Sequence, residues 1–334
     1  MVFAQIECTN FNVVYYRISR GRQKASAADF IYIKRQEKFM ILKELYDITE
    51  NMLLAAGVET HRFDTDCLFE DILGADRVAM TLNGNREVPE KDADRLMAAA
   101  EKRCCGKPLQ YILGRWEFFG RPFCVGEGVL IPRPDTEVLV EKVLEHFKTA
   151  GNFSPEICDL CSGTGCIAVT LKKELPQSTV HAVELSSEAM PYLIKNIRLN
   201  ETDIKIIKGD VTDSLLIENF ADPNDVGEYR KIDAVVSNPP YLTDKEMGEL
   251  SKEVKCEPEL ALKGGSDGLK FYRIIACLWR EILADGGLIA FEIGWEQGGA
   301  VTDILEKSGY ENISVHKDYA GNDRVVMGTK KADG

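Results

Sequence analysis

Residues 232–241 read Ile232-Asp233-Ala234-Val235-Val236-Ser237-Asn238-Pro239-Pro240-Tyr241. The first six form an apolar, β-branched run with the length of a buried strand. The next four put a side-chain amide and two residues without an N–H at the strand's carboxyl end. That end of an open α/β sheet is where ligands bind. Prolines cannot donate to a continuing ladder, so the carbonyls there stay available to a ligand. The stretch is suited to gripping a planar NH2 group.

Strand and helix signals alternate on both sides of it. Residues 157–160 read as a strand before a helix from about Cys166, and residues 179–183 as a strand before a helix over 187–199. Residues 204–207 are a further strand. Downstream, 271–283 reads as a helix and 287–293 as a strand, with another helix running to Ser308. Two late strands, 313–316 and 324–327, are separated by Gly321-Asn322 turn chemistry and look antiparallel. This pattern predicts an α/β fold with a doubly wound, mostly parallel, seven-stranded Rossmann-like sheet over residues 134–330.

Ahead of it, residues 40–107 predict a small helical domain. Met40, Leu42, Leu45, Met52, Leu53 and Leu54 keep helical spacing up to Gly57, a C′ position. Segments 64–73 and 89–103 are also helical, ending at Gly74 and near Gly106. Over 108–133, aromatic and β-branched residues alternate around Gly114, Gly120 and Gly126, which predicts a β-hairpin joining the two domains. Residues 1–39 carry seven Lys and Arg against three Asp and Glu. They are net +4, which leaves −17 for the remainder of a chain at −13. They show no sustained period and are expected to be a leader outside the domains, either an upstream-start artefact or a disordered arm. A basic targeting peptide is the alternative.

The composition, 45% hydrophobic and 28% charged, is that of a globular protein. No apolar run reaches the length of a membrane span and no signal peptide opens the chain, so a cytoplasmic protein is expected. The net charge of −13 argues against direct nucleic-acid binding. The cluster Cys158, Cys161 and Cys166 invites a zinc reading, but no second pair stands at finger spacing. Reduced cysteines in small core positions, and no metal, are expected instead.

Asp159-Leu160-Cys161-Ser162-Gly163-Thr164-Gly165-Cys166 follows the first strand and opens a helix. Its glycines permit a tight turn, and the helix N-terminus brings unpaired N–H donors. Glu184 ends the second strand, where a carboxylate can hold both ribose hydroxyls, and Asp210 follows the third, placed for an adenine edge. Two cofactors compete for such a site. A nicotinamide dinucleotide would need a proton donor near the ring, and none of the four histidines falls at a predicted strand end in this half. S-adenosylmethionine needs a pocket for its amino-acid end and a well-aimed nucleophile, which the loop at 162–165 and the tetrapeptide at 238–241 provide.

With these residues in view, the chain resembles the PrmC/HemK family from about Met40 to Lys330. The matching pieces are Gly106-Lys107-Pro108-Leu109-Gln110-Tyr111-Ile112, Glu117-Phe118-Phe119, and Leu130-Ile131-Pro132-Arg133-Pro134-Asp135-Thr136-Glu137. They continue with the loop at 161–165, Asn238 to Tyr241, Glu257-Pro258, Gly265-Ser266-Asp267-Gly268-Leu269 and Asp323-Arg324-Val325. Asn-Pro-Pro-Tyr alone is shared with adenine and guanine methyltransferases, whereas Arg-Pro-Asp-Thr-Glu with it is much more specific. The resemblance implies an S-adenosylmethionine-dependent methyltransferase acting on the glutamine of the Gly-Gly-Gln motif in class I peptide chain release factors. It further implies cofactor contacts at Asp159, Cys161, Ser162, Gly163, Thr164, Gly165, Glu184, Asp210, Val211 and Asn238. Cys161 and Ser162 replace the Gly and Thr that relatives often carry, and Val211 replaces what can be an aromatic residue.

The expected mechanism has Asn238 and the Pro239 carbonyl accepting the two N–H bonds of the substrate amide. The expected grip on the glutamine spans Asn238, Pro239, Pro240 and Tyr241, with Tyr241 and Phe118 expected to wall the pocket; a rigid stop at Pro239-Pro240 is the alternative. Phe271 and Trp279, at helical spacing, are expected in the core, and the helical domain is expected to dock the protein partner. Arg133 and Glu137 read equally well as site lining or as a link between domains. Alternatives are glutamine methylation of a ribosomal protein, methylation of an exocyclic base amine, a nicotinamide-dependent oxidoreductase, and a non-catalytic adaptor.

Overall fold

The computed structural model describes residues 2–7, 14–19, 30–32, 40–222 and 229–332. Its contacts divide into two compact units, Met1–Leu113 and Gly114–Gly334. In the first unit, Val2–Glu7, Val14–Ser19 and Phe30–Tyr32 pair as an antiparallel sheet. The rest of residues 1–39, and with it most of the expected disordered arm, lies outside the described residues. Helices Leu42–Ala55, His61–Leu73 and Glu90–Cys104 follow the apolar spacing of the sequence and bury Leu45, Leu53, Leu68, Phe69 and Leu96 together. Gly57 and Gly74 end two of these helices at φ 80° and 61°, in the left-handed region open to glycine. Arg77–Asn83 is a further short helix, and Leu109–Leu113 is helical where the sequence predicted hairpin.

The second unit holds β1 (Glu156–Leu160), β2 (Thr179–Glu184), β3 (Lys205–Lys208), β4 (Ile232–Ser237), β5 (Leu283–Glu292), β6 (Tyr310–Lys317) and β7 (Asp323–Lys330). Their order is β3-β2-β1-β4-β5-β7-β6. The first five are parallel, and β7 runs antiparallel to both of its neighbours. Helices α1 (Pro134–Ala150), α2 (Cys166–Glu174), α3 (Met190–Leu199), α4 (Lys270–Leu278) and α5 (Gly298–Lys307) flank the sheet. Successive strand residues face opposite sides. Ile157, Val180, Ala234, Val236 and Ala290 pack with α1, α2 and α3, whereas Cys158, Leu160, Val235, Ile289 and Phe291 pack with α4 and α5. Burial on both faces is why the central strands read as continuous apolar runs. At the edge, β3 carries Lys205 and Lys208.

The chain leaves β1 toward one edge of the sheet and returns to β4 on the other side of β1, so the order reverses between these two strands. That reversal opens a crevice at their carboxyl ends. The register fixes what meets there: Ser237 pairs with Leu160 on one side and with Phe291 on the other. Cys161, Asn238 and Glu292 therefore leave the sheet at one level. A hairpin of Arg115–Phe118 and Arg121–Cys124 lies within the expected 108–133 segment. Asn196 of α3 anchors it: its Oδ1 accepts from the Cys124 N–H at 2.6 Å, and its Nδ2 donates to the Cys124 and Thr164 carbonyls.

Candidate active site

A cavity occupies the crevice, and both predicted motifs reach it. Cys161, Ser162, Gly163 and Thr164 line it from the loop after β1, Glu184 from the end of β2, Asp210 and Val211 from the turn after β3, and Asn238 and Pro240 from the end of β4. Gly165 stands just behind, as the residue capping α2.

The loop after β1 turns sharply because Cys161, Gly163 and Gly165 all have positive φ, at 60°, 55° and 78°. Cys161 is the exception among them, a side-chain-bearing residue in the left-handed region, which costs on the order of 1 kcal/mol. A Cβ on Gly165 would stand 2.5 Å from Cδ1 of Leu193. The turn is pinned by the Ser162 N–H on the Val183 carbonyl at 3.0 Å and by the Ser162 hydroxyl on the Asp159 carbonyl at 2.9 Å.

Glu184 is almost fully buried, and its two oxygens accept from the Gly163 N–H at 2.7 Å and the Ser186 N–H at 2.6 Å. The carboxylate is thus fixed by backbone while each oxygen keeps a lone pair for a ligand hydroxyl. Asp210 holds the next turn: its Oδ1 accepts from both the N–H and the hydroxyl of Thr212 at 2.9 and 2.7 Å. The Val211 carbonyl accepts from the indole N–H of Trp279, a fully buried core residue as expected. These residues fit S-adenosylmethionine: Glu184 for the ribose hydroxyls, Asp210 and Val211 for the adenine edge, and residues 161–165 for the amino-acid end. Carboxylates along the wall would repel a pyrophosphate and tolerate a sulfonium cation.

Asp159 is placed differently from the expectation. It is fully buried behind the loop, does not line the cavity, and neither carboxylate oxygen has a hydrogen-bond partner. Burial pushes its pKa up to about 8. Phe118 also departs from its expected place as a pocket wall. It is buried in the hydrophobic cluster of the hairpin, edge-on to Phe123 at 6.0 Å, because strand alternation turns it toward the core. Phe271, expected in the core, is half-buried: it packs against the core cluster and also lines the cavity beside Lys270.

Pro239 is buried and Pro240 lines the cavity, whereas Tyr241 packs against the core cluster below. Gln297 clamps this stretch, its Nε2 donating to the Tyr241 carbonyl at 3.0 Å while its Oε1 accepts from the Gly294 N–H and the Tyr272 hydroxyl. Gly264 packs flat on the same turn; a Cβ there would stand 2.6 Å from Cα of Tyr241. Asn238 donates through Nδ2 to the Thr136 hydroxyl at 3.3 Å. Arg133 also lines the cavity and forms a very short ion pair with Glu257, whose other oxygen accepts from the Ile131 N–H at 3.2 Å. Glu137 accepts from the Phe119 N–H at 2.7 Å and so ties the hairpin to α1. The sequence alone points to none of these roles for Thr136, Glu257 or Gln297.

Among the described residues no group of three or more His, Cys, Asp or Glu is arranged to hold a metal, and no helix is long and apolar enough to cross a membrane. Cys158 and Cys166 are buried, whereas Cys105, Cys256 and Cys277 are exposed, so core filling accounts for only some of the cysteines.

The family model described as PrmC N-terminal domain matches residues 44–114, and the one described as methyltransferase small domain matches residues 135–265. A release factor glutamine methyltransferase from Fusobacterium nucleatum is 37% identical over 295 residues, covering 86% of this chain and 78% of its own. Its counterpart from Clostridium botulinum is 37% identical over 87% of this chain and 100% of its own. One from Flavobacterium psychrophilum is 40% identical over 66% of this chain and 74% of its own.

Proposed function

The chain belongs to the release factor glutamine methyltransferase family, and on that premise we propose that it methylates the glutamine of the Gly-Gly-Gln motif in class I peptide chain release factors, at the side-chain amide nitrogen. It is an S-adenosylmethionine-dependent protein-glutamine methyltransferase. The observation that supports the residue roles is that Asn238 and the Cys161–Thr164 turn line one cavity, on adjacent strands locked in register.

An amide nitrogen is a poor nucleophile because its lone pair is delocalised into the carbonyl. When bound, S-adenosylmethionine supplies a methyl group on a sulfonium, an electrophile strong enough for a well-oriented amide. The protein's part is orientation and charge. Asn238 Oδ1 and the Pro239 carbonyl accept the two N–H bonds of the substrate, turn its nitrogen toward the loop, and stabilise the positive charge that develops there. Transfer of that methyl would leave the substrate nitrogen with a proton that water can take, so the chain would need no strong base beside Asn238 and Pro239. Pro239 and Pro240 contribute by having no N–H to compete for those acceptors.

A protein rather than a nucleic acid is the substrate in this reading, in keeping with the net charge of −13. We also propose that the helical unit docks the release factor, and that the enzyme acts in the cytoplasm, where release factors work. The test is mass spectrometry of a release factor incubated with this protein and S-adenosylmethionine. One added methyl on the Gly-Gly-Gln peptide is the expected result. An unmodified peptide, with label instead in a ribosomal protein or in nucleic acid, would overturn the assignment.

A further inference from the structure

We propose that Arg133 is a cofactor-positioning residue, whose guanidinium holds the carboxylate at the amino-acid end of S-adenosylmethionine. The proposal rests on the cofactor of the reading above and not on its substrate. The amino-acid end is a zwitterion, and its carboxylate enters a cavity whose wall already carries Glu184 and Asp210. Like charges repel there, the more so as water is displaced. The group needs a cation in place. Among the described residues that line the cavity, only Arg133 and Lys270 carry one.

The fold separates these two. The loop at 161–165 leads into α2, which shares one face of the sheet with α1, where Ile167 and Val169 join Leu139 and Val143 in one cluster. Arg133 stands at the head of α1, as its N-cap residue. Three residues on, the Thr136 hydroxyl accepts from Asn238 Nδ2 at 3.3 Å, and Asn238 leaves the sheet level with Cys161. Arg133 is therefore on the glycine loop's side of the crevice. Lys270 opens α4, which packs on the other face, and its ammonium lies over the Phe271 ring at 5.3 Å.

A purely structural post explains Arg133 poorly. A cation at the head of a helix opposes the macrodipole, and this side chain makes no capping hydrogen bond. Its ion-pair partner Glu257 is buried and held by the Ile131 N–H at 3.2 Å. A guanidinium has five N–H donors in a planar fork. Among the described residues Arg133 spends one nitrogen, Nη2, on Glu257. Its side chain stays 36% exposed and lines the cavity, so the remaining donors are open to a ligand there. Glu257 fixes the fork from one side and leaves the other for a second carboxylate. A guanidinium suits that double duty better than an ammonium does.

The test is calorimetric titration of the protein without substrate, using S-adenosylmethionine and decarboxylated S-adenosylmethionine. The second compound keeps the sulfonium and the amine but lacks the carboxylate. The wild type should bind the intact cofactor about 10- to 100-fold more tightly, the scale of a hydrogen-bonded charge pair. Arg133→Met should erase most of that preference by weakening the intact cofactor alone, and Arg133→Lys should recover part of it. Because Arg133→Met leaves Glu257 buried without its counter-ion, Arg133→Met combined with Glu257→Gln is the second variant and should show the same loss. A wild type that binds both compounds equally, or Arg133 variants that keep the wild-type preference, would overturn the proposal. So would a preference that disappears in Lys270→Met instead, or an Arg133→Met defect confined to KM for the release factor. If the wild type shows the carboxylate preference yet leaves release factors unmethylated, the substrate assignment fails and the role of Arg133 stands.

Discussion

Gly268 lies against the Tyr241 carbonyl so closely that an added Cβ would stand 2.3 Å from that oxygen, and 2.6 Å from Nε2 of Gln297 that donates to it. The glycine also has φ 71°, a left-handed conformation that side chains rarely adopt. The segment 264–268 therefore works as a backstop for the Asn238–Tyr241 turn. Gly268→Ala must push this turn toward the cavity. We expect turnover to fall about 10²-fold, the scale of a misplacement near 1 Å, with cofactor affinity nearly unchanged. Gly286→Ala is the control: its φ is 75° with nothing within 4 Å of the added Cβ, so it should carry the backbone strain without the lost rate. Single-turnover methyl transfer and calorimetric titration of the cofactor separate the two.

Asn238→Ala removes one acceptor for the substrate amide and leaves the loop after β1 intact. A single well-placed electrostatic contact of this kind is worth about 10²–10³ in rate. The variant should bind the cofactor normally and transfer methyl groups at that reduced rate. Near-normal turnover would show that the substrate nitrogen is oriented by other groups.

Glu184→Gln keeps the size of the side chain but replaces one acceptor oxygen with an NH2. The Gly163 and Ser186 N–H groups both need an acceptor here, so one buried donor loses its partner, at about 1–3 kcal/mol. The loop should loosen and the cofactor dissociation constant should rise about 10- to 100-fold, with a smaller change in kcat at saturating cofactor. Equal affinity for wild type and variant would remove Glu184 from the cofactor site.

How much of this was legible in the sequence depends on how local each signal is. The parallel strands, the glycine turn at 161–165 and the tetrapeptide at 238–241 announce themselves within ten or so residues, and the structure brings them to one crevice. Thr136 hydrogen-bonds Asn238 across 102 residues and Glu257 meets the Ile131 N–H across 126. Pairings at such distances leave no periodicity to read. Glycines 264 and 268 look like ordinary turn residues until the backbone they touch is known. Phe118 was misplaced because an alternating strand shows which residues share a face and not which face is wet. Phe271 packs on the core as its helical spacing implies, but that spacing cannot show that it also lines the cavity.

Asp159 and Glu292 give the protein an uncommon pH dependence. Both carboxyls are pushed up by burial, to about 8 and about 7. A carboxyl whose folded pKa lies above its unfolded value of about 4 binds its proton more tightly when folded. Its penalty is absent in acid, grows as pH rises through the unfolded value, and is complete above the folded one. These two groups therefore favour the folded protein near pH 5 and weaken it near pH 8. Asp159→Asn should raise Tm at pH 8 by at least about 2 °C and change little at pH 5. A melting temperature equal to wild type across this window would mean that Asp159 carries no buried charge.

Asp64 and Arg103 form the buried ion pair of the helical unit, Nε to Oδ2 at 2.5 Å, with both side chains less than 5% exposed. The Arg103 guanidinium also donates to the Lys107 carbonyl at 3.3 Å, so the pair ties helix His61–Leu73 to the end of Glu90–Cys104. Removing one partner strands the other charge in an apolar setting, a loss of about 3–5 kcal/mol. Replacing both by apolar residues of similar volume avoids that loss. Arg103→Met and Asp64→Leu should each lower the urea midpoint, and the double variant should recover most of the difference. Single-variant losses that simply add in the double variant would mean that the two charges do not stabilise each other.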